Sequence, residues 1–396
     1  MAQMTDTGGP PKRPPPWNDP RIRAIAFQVL VSAGVVAAGV FLVHNLLHNL
    51  DARGISTGFG FLSNRAGFAI NQSLVSYDES SSYGRTFVVG LLNTLLVSGL
   101  GIVFATIIGF LVGVARLSRN WLIARLAAAY IETFRNIPLL LQILFWYFAI
   151  FLNLPPPSEA LHVGDSVFLT LRGLFMPRPE FGDGFGWSVF AFVAAVAGSV
   201  ALVRWARLRQ ERTGERFPAI FTSAGLLIGL PLVTFMVTGR PLTWVSPQLD
   251  GFNFSGGVSV IPELAALLMA LSIYTAAFIA ETVRAGILSV SHGQTEAASA
   301  LGLRPGWTLR LVIIPQAMRV TIPPLTSQYL NLTKNSSLAT AIGYPDLVSL
   351  FAGTTLNQTG QAVEVMAMTM AVYLAISLVI SMFMNWFNAR MALVER

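Results

Sequence analysis

The chain has 396 residues, of which 54% are hydrophobic and 11% charged, and this balance excludes an ordinary soluble domain in favour of a polytopic membrane protein. The net charge of +7 does not indicate nucleic-acid binding, because the arginines cluster between apolar segments, where basic residues orient a membrane protein. There is no cysteine and the four histidines are scattered, so disulfides and thiolate sites are excluded and no metal site is expected.

The chain begins with a proline-rich polar segment, and we expect residues 1–23 to form a disordered arm in the cytoplasm. The apolar segment 24–47 follows a group of basic residues and is long enough to span a bilayer. Its polar leader is long for a cleaved signal peptide, so we interpret it as a retained first transmembrane helix. The polar segment 49–84 predicts an external loop.

The next two predicted spans carry distinct packing signals. The second covers about residues 86–114 and contains five glycines that predict close helix packing: Gly90, Gly99, Gly101, Gly109 and Gly113. The third is opened by the run Glu132 to Gln142, in which Pro138 suits the first turn of a helix. It continues to about residue 154, where consecutive prolines end it.

Residues 153–186 are rich in glycine and proline and predict a second external loop. Two candidate spans follow, at about 187–203 and 217–238. The segment between them, RWARLRQERTGER, is rich in arginine and indicates the cytoplasmic side.

Three further spans complete the chain. The sixth, about 258–280, leads into a long polar interruption, and the eighth covers about 363–387. The seventh, about 321–341, is polar, and we expect Pro323 and Pro324 to break its helix. An even number of spans, about eight, places both termini in the cytoplasm.

The interruption from Glu281 to Pro315 predicts a short helix followed by a turn. Small residues around Glu296 allow close packing, and Gly302 suits a left-handed helix end, after which Pro305-Gly306 predicts a break. A helix–turn–helix at the membrane surface indicates a docking element rather than a catalytic one. The alternative is an ordinary basic loop between two spans.

The run Gln294-Thr295-Glu296-Ala297-Ala298, followed by Gly302 and Pro315, resembles the EAA loop of bacterial ABC importer permeases, especially the polar amino-acid uptake branch. Val312 and Ile314 depart mildly from the pattern, and the run Glu132 to Gln142 also resembles the family. In that family the loop is a coupling helix that docks on a cytoplasmic ATPase. The resemblance therefore assigns ATPase coupling to the following residues: Glu296, Ala297, Ala298, Gly302 and Pro315.

The resemblance implies an all-α, multi-pass protein of the bacterial inner membrane, with a type I permease domain over residues 85–390. The family core has five helices, so the chain adds an N-terminal helix and a helical hairpin. We interpret residues 153–255 as an insertion that carries this hairpin. Length and hairpin resemble the general L-amino-acid permease subgroup.

The implied function is that of the membrane-spanning permease of an ATP-driven, binding-protein-dependent importer for amino acids. Its partners would be cytoplasmic ATPase subunits, a second homologous permease in a heterodimer, and a periplasmic amino-acid-binding protein. The chain has no P-loop pattern, so we expect neither enzymatic activity nor a cofactor in it. ATP and Mg would be bound by the partner ATPase.

Polar residues within or beside the spans are candidates for the substrate path, because buried charges are costly unless they pair or line a wet cavity. The candidates are Lys334, Asn331, Asn335, Ser336, Glu281 and Arg284. A carboxylate of the protein could bind the amino group of the substrate, and a cationic side chain could bind the carboxylate of the substrate. Structural ion pairs, snorkelling at the interface and interhelical hydrogen bonds are the alternatives.

Two other functions are compatible with a polytopic chain. An ion-gradient-driven secondary transporter would favour inverted repeats and intramembrane carboxylates, and neither is evident here. A non-transporting membrane scaffold would not need the polar seventh span.

Overall fold

The computed structural model describes residues 19–52, 54 and 57–391. Its α-helices are α1 (Pro20–Ala52), α2 (Tyr83–Arg116), α3 (Trp121–Asn136), α4 (Leu139–Leu144), α5 (Phe185–Thr213), α6 (Ala219–Val237), α7 (Pro262–Leu288), α8 (His292–Ala300), α9 (Pro305–Thr308), α10 (Ile314–Asn335), α11 (Leu356–Thr359) and α12 (Ala362–Met391). Its strands are β1 (Leu161–Val163), β2 (Val167–Thr170), β3 (Gly173–Met176), β4 (Arg178–Phe181), β5 (Leu242–Val245), β6 (Gln248–Asp250), β7 (Asn253–Ser255) and β8 (Val258–Val260).

The helices agree with the predicted spans. Within the described part of the chain, 6 helices are long and apolar enough to cross a membrane, and the bent pair formed by α3 and the segment Leu139–Asn153 raises this to 7. Helix α10, at 22 residues, is long enough to cross but too polar to satisfy the same test. It corresponds to the predicted seventh span. Residues 1–18 of the predicted arm lie outside the described residues. The remainder of the arm, from Pro20, already belongs to α1.

The expected break at Pro323 and Pro324 is wrong. Helix α10 runs through both prolines to Asn335, and the geometry changes only afterwards, in the 3₁₀ helix Ser336–Ile342. A proline removes only the hydrogen bond to the carbonyl four residues earlier, and packing in a helical bundle compensates for that loss. Sequence alone could not show where the surrounding helices support the chain.

Helices α2 and α7 form the centre of the bundle and run parallel, held together by two of the predicted packing glycines. A Cβ on Gly109 would lie 2.6 Å from the Cβ of Ile279, and one on Gly113 would lie 2.7 Å from the carbonyl of Ala280. Glycine is therefore required for this approach. Gly99 differs from the prediction, since nothing lies within 4 Å of its Cβ position.

The bend of 105° between α3 and the helix that follows surrounds Pro138. The buried Gln142 spans it: its Nε2 donates to the carbonyls of Phe134, at 3.1 Å, and Ile137, at 2.9 Å. These are carbonyls that the end of α3 leaves unpaired. A π-helical stretch, Phe145–Ile150, then continues α4.

The predicted external loop at 49–84 is largely an ordered cap over one end of the bundle. Phe61, in the 3₁₀ turn Gly60–Ser63, is buried against Tyr83 and Phe351, with ring centroids 6.3 and 6.1 Å away. The amide N–H of Gly58 donates to the carboxylate of Glu364 at 2.5 Å. The cap thus lies where α2 and α12 both begin, at the end of the bundle opposite α8.

The second predicted loop, 153–186, contains four short strands, which the sequence did not predict. Strands β1, β2, β3 and β8 form one antiparallel sheet, and β4–β5 and β6–β7 form two-stranded ribbons. Strands this short, with Gly-Pro-rich neighbours, carry little periodicity for sequence analysis to detect. Between the ribbon strands β4 and β5 lie α5 and α6, which pair as the predicted helical hairpin.

Candidate coupling loop and translocation cavity

The segment between α7 and α10 forms the predicted short helix and turn. Helix α8 starts after Ser291 and ends at Ala300, and Gly302 follows with a φ of +75°, the left-handed conformation that glycine adopts readily. The N–H of Leu303 then donates to the carbonyl of Ala298 at 3.1 Å and closes the helix end. Pro305 does not break a helix here; it starts α9, where its missing N–H is not needed.

The side chains of this loop divide into an attached face and an open face. Ala298 is buried, and Gln294 on the same helix accepts a hydrogen bond from Gln316 of α10 at 3.2 Å. By contrast, Leu301 is 82% exposed and Trp307 52% exposed. An apolar residue with that exposure at a helix end lacks a partner within the described chain and suits an intermolecular contact.

Glu296 lies on the open part of α8. Its carboxylate is 2.9 Å from Nδ1 of His292, one turn earlier, and the Glu296 side chain is 71% exposed. Such a surface contact contributes little to stability and leaves the carboxylate available to another molecule. Ala297 is exposed beside it, and Pro315 lies at the start of α10, after the π-helical stretch Leu309–Ile313.

Two cavities lie between α7 and α10, the first mainly apolar with a few charged and polar side chains and the second mainly polar. One, of about 310 Å³, is lined by Arg135 of α3, by Glu281 and Phe278 of α7, and by Pro324 and Gln328 of α10, among others. The other, of about 260 Å³, is lined by Tyr274, Thr275, Phe278, Gln328, Asn331 and Asn335. Phe278 and Gln328 belong to both, so the cavities adjoin along one face of each helix.

The charged groups of the first cavity are held by their neighbours. Glu281 and Arg284 form an ion pair one turn apart on α7, with Nη2 2.6 Å from Oε1 and Nε 3.0 Å from Oε2. The guanidinium of Arg135 lies over the ring of Phe278, 5.2 Å from its centroid. The cavity therefore presents a partly exposed carboxylate and a stacked cation to whatever enters it.

Lys334 lies elsewhere. It lines a separate cavity of about 520 Å³ between α10 and α12, together with Thr369, Tyr373 and Ser377 and with apolar side chains. Ser336 is buried and donates to the carbonyl of Thr333 at 2.8 Å, which satisfies its hydroxyl within the chain. Of the six predicted path residues, the structure brings Glu281, Asn331 and Asn335 to one continuous surface, with Arg284 beside them.

Arg135, Phe278 and Gln328 are among the residues of this surface that were not predicted from the sequence. The signal for Arg135 was present, since it lies in the run Glu132 to Gln142 just before the proline that bends α3 away. Phe278 and Gln328 carry no such mark, because an aromatic residue in a span and a single glutamine are both common in packed helices. Among the described residues no group of three or more histidine, aspartate or glutamate side chains could hold a metal ion.

Comparison with known proteins decides the family. Residues 216–393 match the family described as binding-protein-dependent transport system inner membrane component. The chain is 57% identical to YhdX of Escherichia coli (strain K12), which carries the name of an amino-acid ABC transporter permease protein, over 96% of this chain and 97% of that one. The chain belongs to the permease family of amino-acid ABC transporters.

Two further relatives agree with this assignment. The permease is 52% identical to the general L-amino acid transport system permease protein AapQ of Rhizobium johnstonii, over 96% and 94% of the two chains. It is 44% identical to the glutamate/glutamine/aspartate/asparagine transport system permease protein BztB of Rhodobacter capsulatus, over 96% of each. Almost the whole length, including the hairpin, is thus shared with these relatives.

Family membership confirms several predictions made from the sequence. The protein is a multi-pass component of the inner membrane and is not itself an enzyme, because ATP hydrolysis in this family belongs to a separate ATPase subunit. The family also implies an ATPase and a substrate-binding protein as partners. A secondary transporter and a membrane scaffold are therefore both set aside.

Proposed function

We propose that this permease imports L-amino acids, as one half of a heterodimer with a second, homologous permease. The proposal rests on the open face of α8, where Leu301 is 82% exposed, Ala297 is exposed, and Glu296 contacts only His292 of the same helix and keeps 71% of its side chain exposed. Two cytoplasmic ATPase subunits bind there and at the equivalent loop of the partner permease. They bind the ATP and Mg, and a periplasmic binding protein delivers the amino acid.

The proposed orientation places the α8 end of the bundle in the cytoplasm. Helices α2, α7 and α12 all start at the capped end and finish at the α8 end, and α1 leads into the cap. With α1 as one further span, the proposed orientation puts the start of α1 at Pro20 and the end of α12 at Met391 on the α8 side. The arginines in the last turns of α5, and Arg216 just after it, also fall on that side, because β3 and β4 connect the start of α5 to the start of α7. This arrangement agrees with the bias of cytoplasmic loops toward basic residues.

The proposed substrate path runs along the adjoining cavities between α7 and α10. A zwitterionic amino acid needs an acceptor for its ammonium and a donor for its carboxylate. Glu281 and the asparagine oxygens supply the first, and Arg135, Arg284 and the amides of Gln328 and Asn331 supply the second. Lys334 opens to the other cavity, and we do not include it or Ser336 in this path.

ATP binding draws the two ATPase subunits together, and α8 transmits this movement to α7. Seven residues, about 10 Å of helix, separate Glu281 from the end of α7 at Leu288, so the cavity wall is continuous with the end of the helix that leads into α8 through the short turn Ser289 to Ser291. The mechanical contact is made by Glu296 and Ala297, while the buried Ala298 holds α8 against the bundle and Gly302 and Pro315 shape the loop.

The experiment that tests the proposal is amino-acid-stimulated ATP hydrolysis in proteoliposomes. The chain is coexpressed with its ATPase, the second permease and the binding protein, and each component is omitted in turn. We expect stimulation to require this chain and the binding protein, and the active amino acids to name the cargo. Hydrolysis that is unaffected by omitting this chain would overturn the proposal.

A further inference from the structure

The β4–β5 ribbon is a small element with two unlike faces. Its strands pair antiparallel, with Pro179 opposite Trp244 and Phe181 opposite Leu242, while Arg178 lies opposite Val245 and Glu180 opposite Thr243. Side chains alternate along a strand, and directly opposed residues share a face. One face therefore carries Pro179, Phe181, Leu242 and Trp244, and all four are apolar.

The other face carries three polar residues and the half-buried Val245. Arg178 and Glu180 form an ion pair there, with Nη2 2.7 Å from Oε1, and Thr243 is exposed beside them. The two aromatic side chains of the apolar face are open as well: Phe181 and Trp244 are each 62% exposed. The ribbon is therefore amphipathic: its large aromatic side chains lie on one face and its charges on the other. Helices that lie in the membrane interface have the same division into an apolar and a polar face.

The ribbon is fixed to the end of the α5–α6 hairpin. The N–H of Gly182 donates to the carbonyl of Pro241 at 3.1 Å, and the N–H of Arg240 donates to the carbonyl of Phe235 at 3.0 Å. Arg240 itself has φ 56°, which turns the chain sharply from α6 into β5. The ring of Phe181 lies 4.4 Å from that of Phe185, the first residue of α5.

The hairpin itself is a lipid-facing element. Both helices pass the length and hydropathy test for spans, and none of the most apolar window of α6 is buried inside the chain. Large apolar side chains cover their outer surfaces right up to the ribbon: Trp187 and Phe190 in α5 and Val237 in α6 are exposed. The apolar face of the ribbon therefore continues a surface that lies against lipid.

The small size of the ribbon argues against a protein partner on its apolar face. Strands of 4 residues extend about 13 Å, whereas a stable protein interface buries about 800 Å² on each side. Tryptophan and other amphipathic aromatic residues are enriched where a bilayer meets water, because the ring is apolar and one edge is polar.

We propose that the β4–β5 ribbon lies on the membrane, with Phe181 and Trp244 inserted at the boundary between lipid headgroups and acyl chains and with Arg178, Glu180 and Thr243 facing water. The ribbon sets the depth of the hairpin in the bilayer. It also holds the adjoining four-stranded sheet at the membrane surface.

The absence of cysteine makes a direct test possible, because a single introduced cysteine is the only site for a thiol-reactive label. Two matched pairs of neighbours on opposite faces are used: Trp244→Cys with Thr243→Cys, and Phe181→Cys with Glu180→Cys. Each full-length variant is labelled with nitrobenzoxadiazole and reconstituted in vesicles of phosphatidylethanolamine and phosphatidylglycerol. Quenching is measured with lipids that carry a nitroxide near the headgroup or at the acyl-chain end, and with aqueous iodide.

We expect the headgroup-proximal nitroxide to quench labels at positions 244 and 181 several-fold more than those at 243 and 180, and iodide to show the reverse order. The acyl-chain-end nitroxide should quench all four weakly. Equal quenching within each pair would overturn the proposal. Shielding of positions 244 and 181 from lipid and iodide alike would also overturn it and would indicate a protein neighbour. If replacing Trp244 prevents folding, the pair on β4 gives the same test.

Discussion

The side-chain amide of Gln142 donates to the carbonyl of Ile137 at 2.9 Å, across the bend at which α3 gives way to α4. The same nitrogen also reaches the carbonyl of Phe134. One buried side chain thus replaces two backbone hydrogen bonds where Pro138 cannot donate, and it fixes the direction in which α3, with Arg135, meets the cavity.

Replacing Gln142 by leucine should leave these carbonyls unpaired in the interior. The cost of such a group is about 1–3 kcal/mol, so we expect a lower midpoint of thermal unfolding, measured by size-exclusion chromatography of the detergent-solubilised chain. Asn136→Leu is the control, because Asn136 donates to the carbonyl of Glu132 at the same bend but is exposed. Equal losses in both variants would contradict the role given to Gln142.

A methyl group on Gly109 should separate α2 from α7. Its Cβ would lie 2.6 Å from Ile279, and overpacking of this kind costs about 1–3 kcal/mol. We expect Gly109→Ala to lower the unfolding midpoint and Gly99→Ala to leave it unchanged, since the Cβ position of Gly99 is open. If Gly109→Ala unfolds at the wild-type temperature, the helices must adjust more easily than the contact suggests.

Leu301 tests the docking face of α8 apart from its charge. Leu301→Asp should abolish copurification of the ATPase, because it places a carboxylate where the open face is apolar, while the chain still inserts in the membrane. Leu301→Met keeps an apolar side chain and should restore copurification. Retention of the ATPase by the aspartate variant would move the contact away from the end of α8.

Glu296→Ala should uncouple the transporter. We expect amino-acid-stimulated ATP hydrolysis to be lost and the ATPase to bind more weakly, with normal amounts of permease in the membrane. His292→Ala removes the partner that Glu296 has within its own helix and serves as the control, which should retain coupling. Loss of coupling in both variants to the same degree would assign the effect to the helix rather than to the carboxylate.

The two cavities can be separated by paired substitutions. Asn331→Ala should raise the KM for amino-acid uptake, because Asn331 lines the proposed path, and Lys334→Ala should leave KM unchanged, because Lys334 faces α12. Radiolabelled uptake in proteoliposomes measures both. The opposite result would place the path between α10 and α12.

The features predictable from the sequence were those that local chemistry determines. Long apolar segments indicated the spans, and the small residues around Glu296 with Gly302 behind them indicated the coupling helix and its left-handed end. The behaviour of Pro323 and Pro324 was not predictable, because it depends on the helices that support α10. The sequence also could not show that Lys334 and Asn331 line different cavities. The two residues lie on adjoining parts of the surface of α10, and only the fold identifies the helix that packs against each part. The strands at 161–181 are too short to leave a pattern.

The position of α7 restricts where insertions and deletions can occur in related chains. This helix carries Phe278 and Glu281 toward the cavity and ends at Leu288, from where the short turn Ser289 to Ser291 leads into α8. Each residue added or removed between Glu281 and Leu288 would rotate the cavity wall by about 100° relative to the docking face. Insertions and deletions should accumulate at the turn between α5 and α6, where nothing downstream depends on helical phase, and be absent from the last two turns of α7.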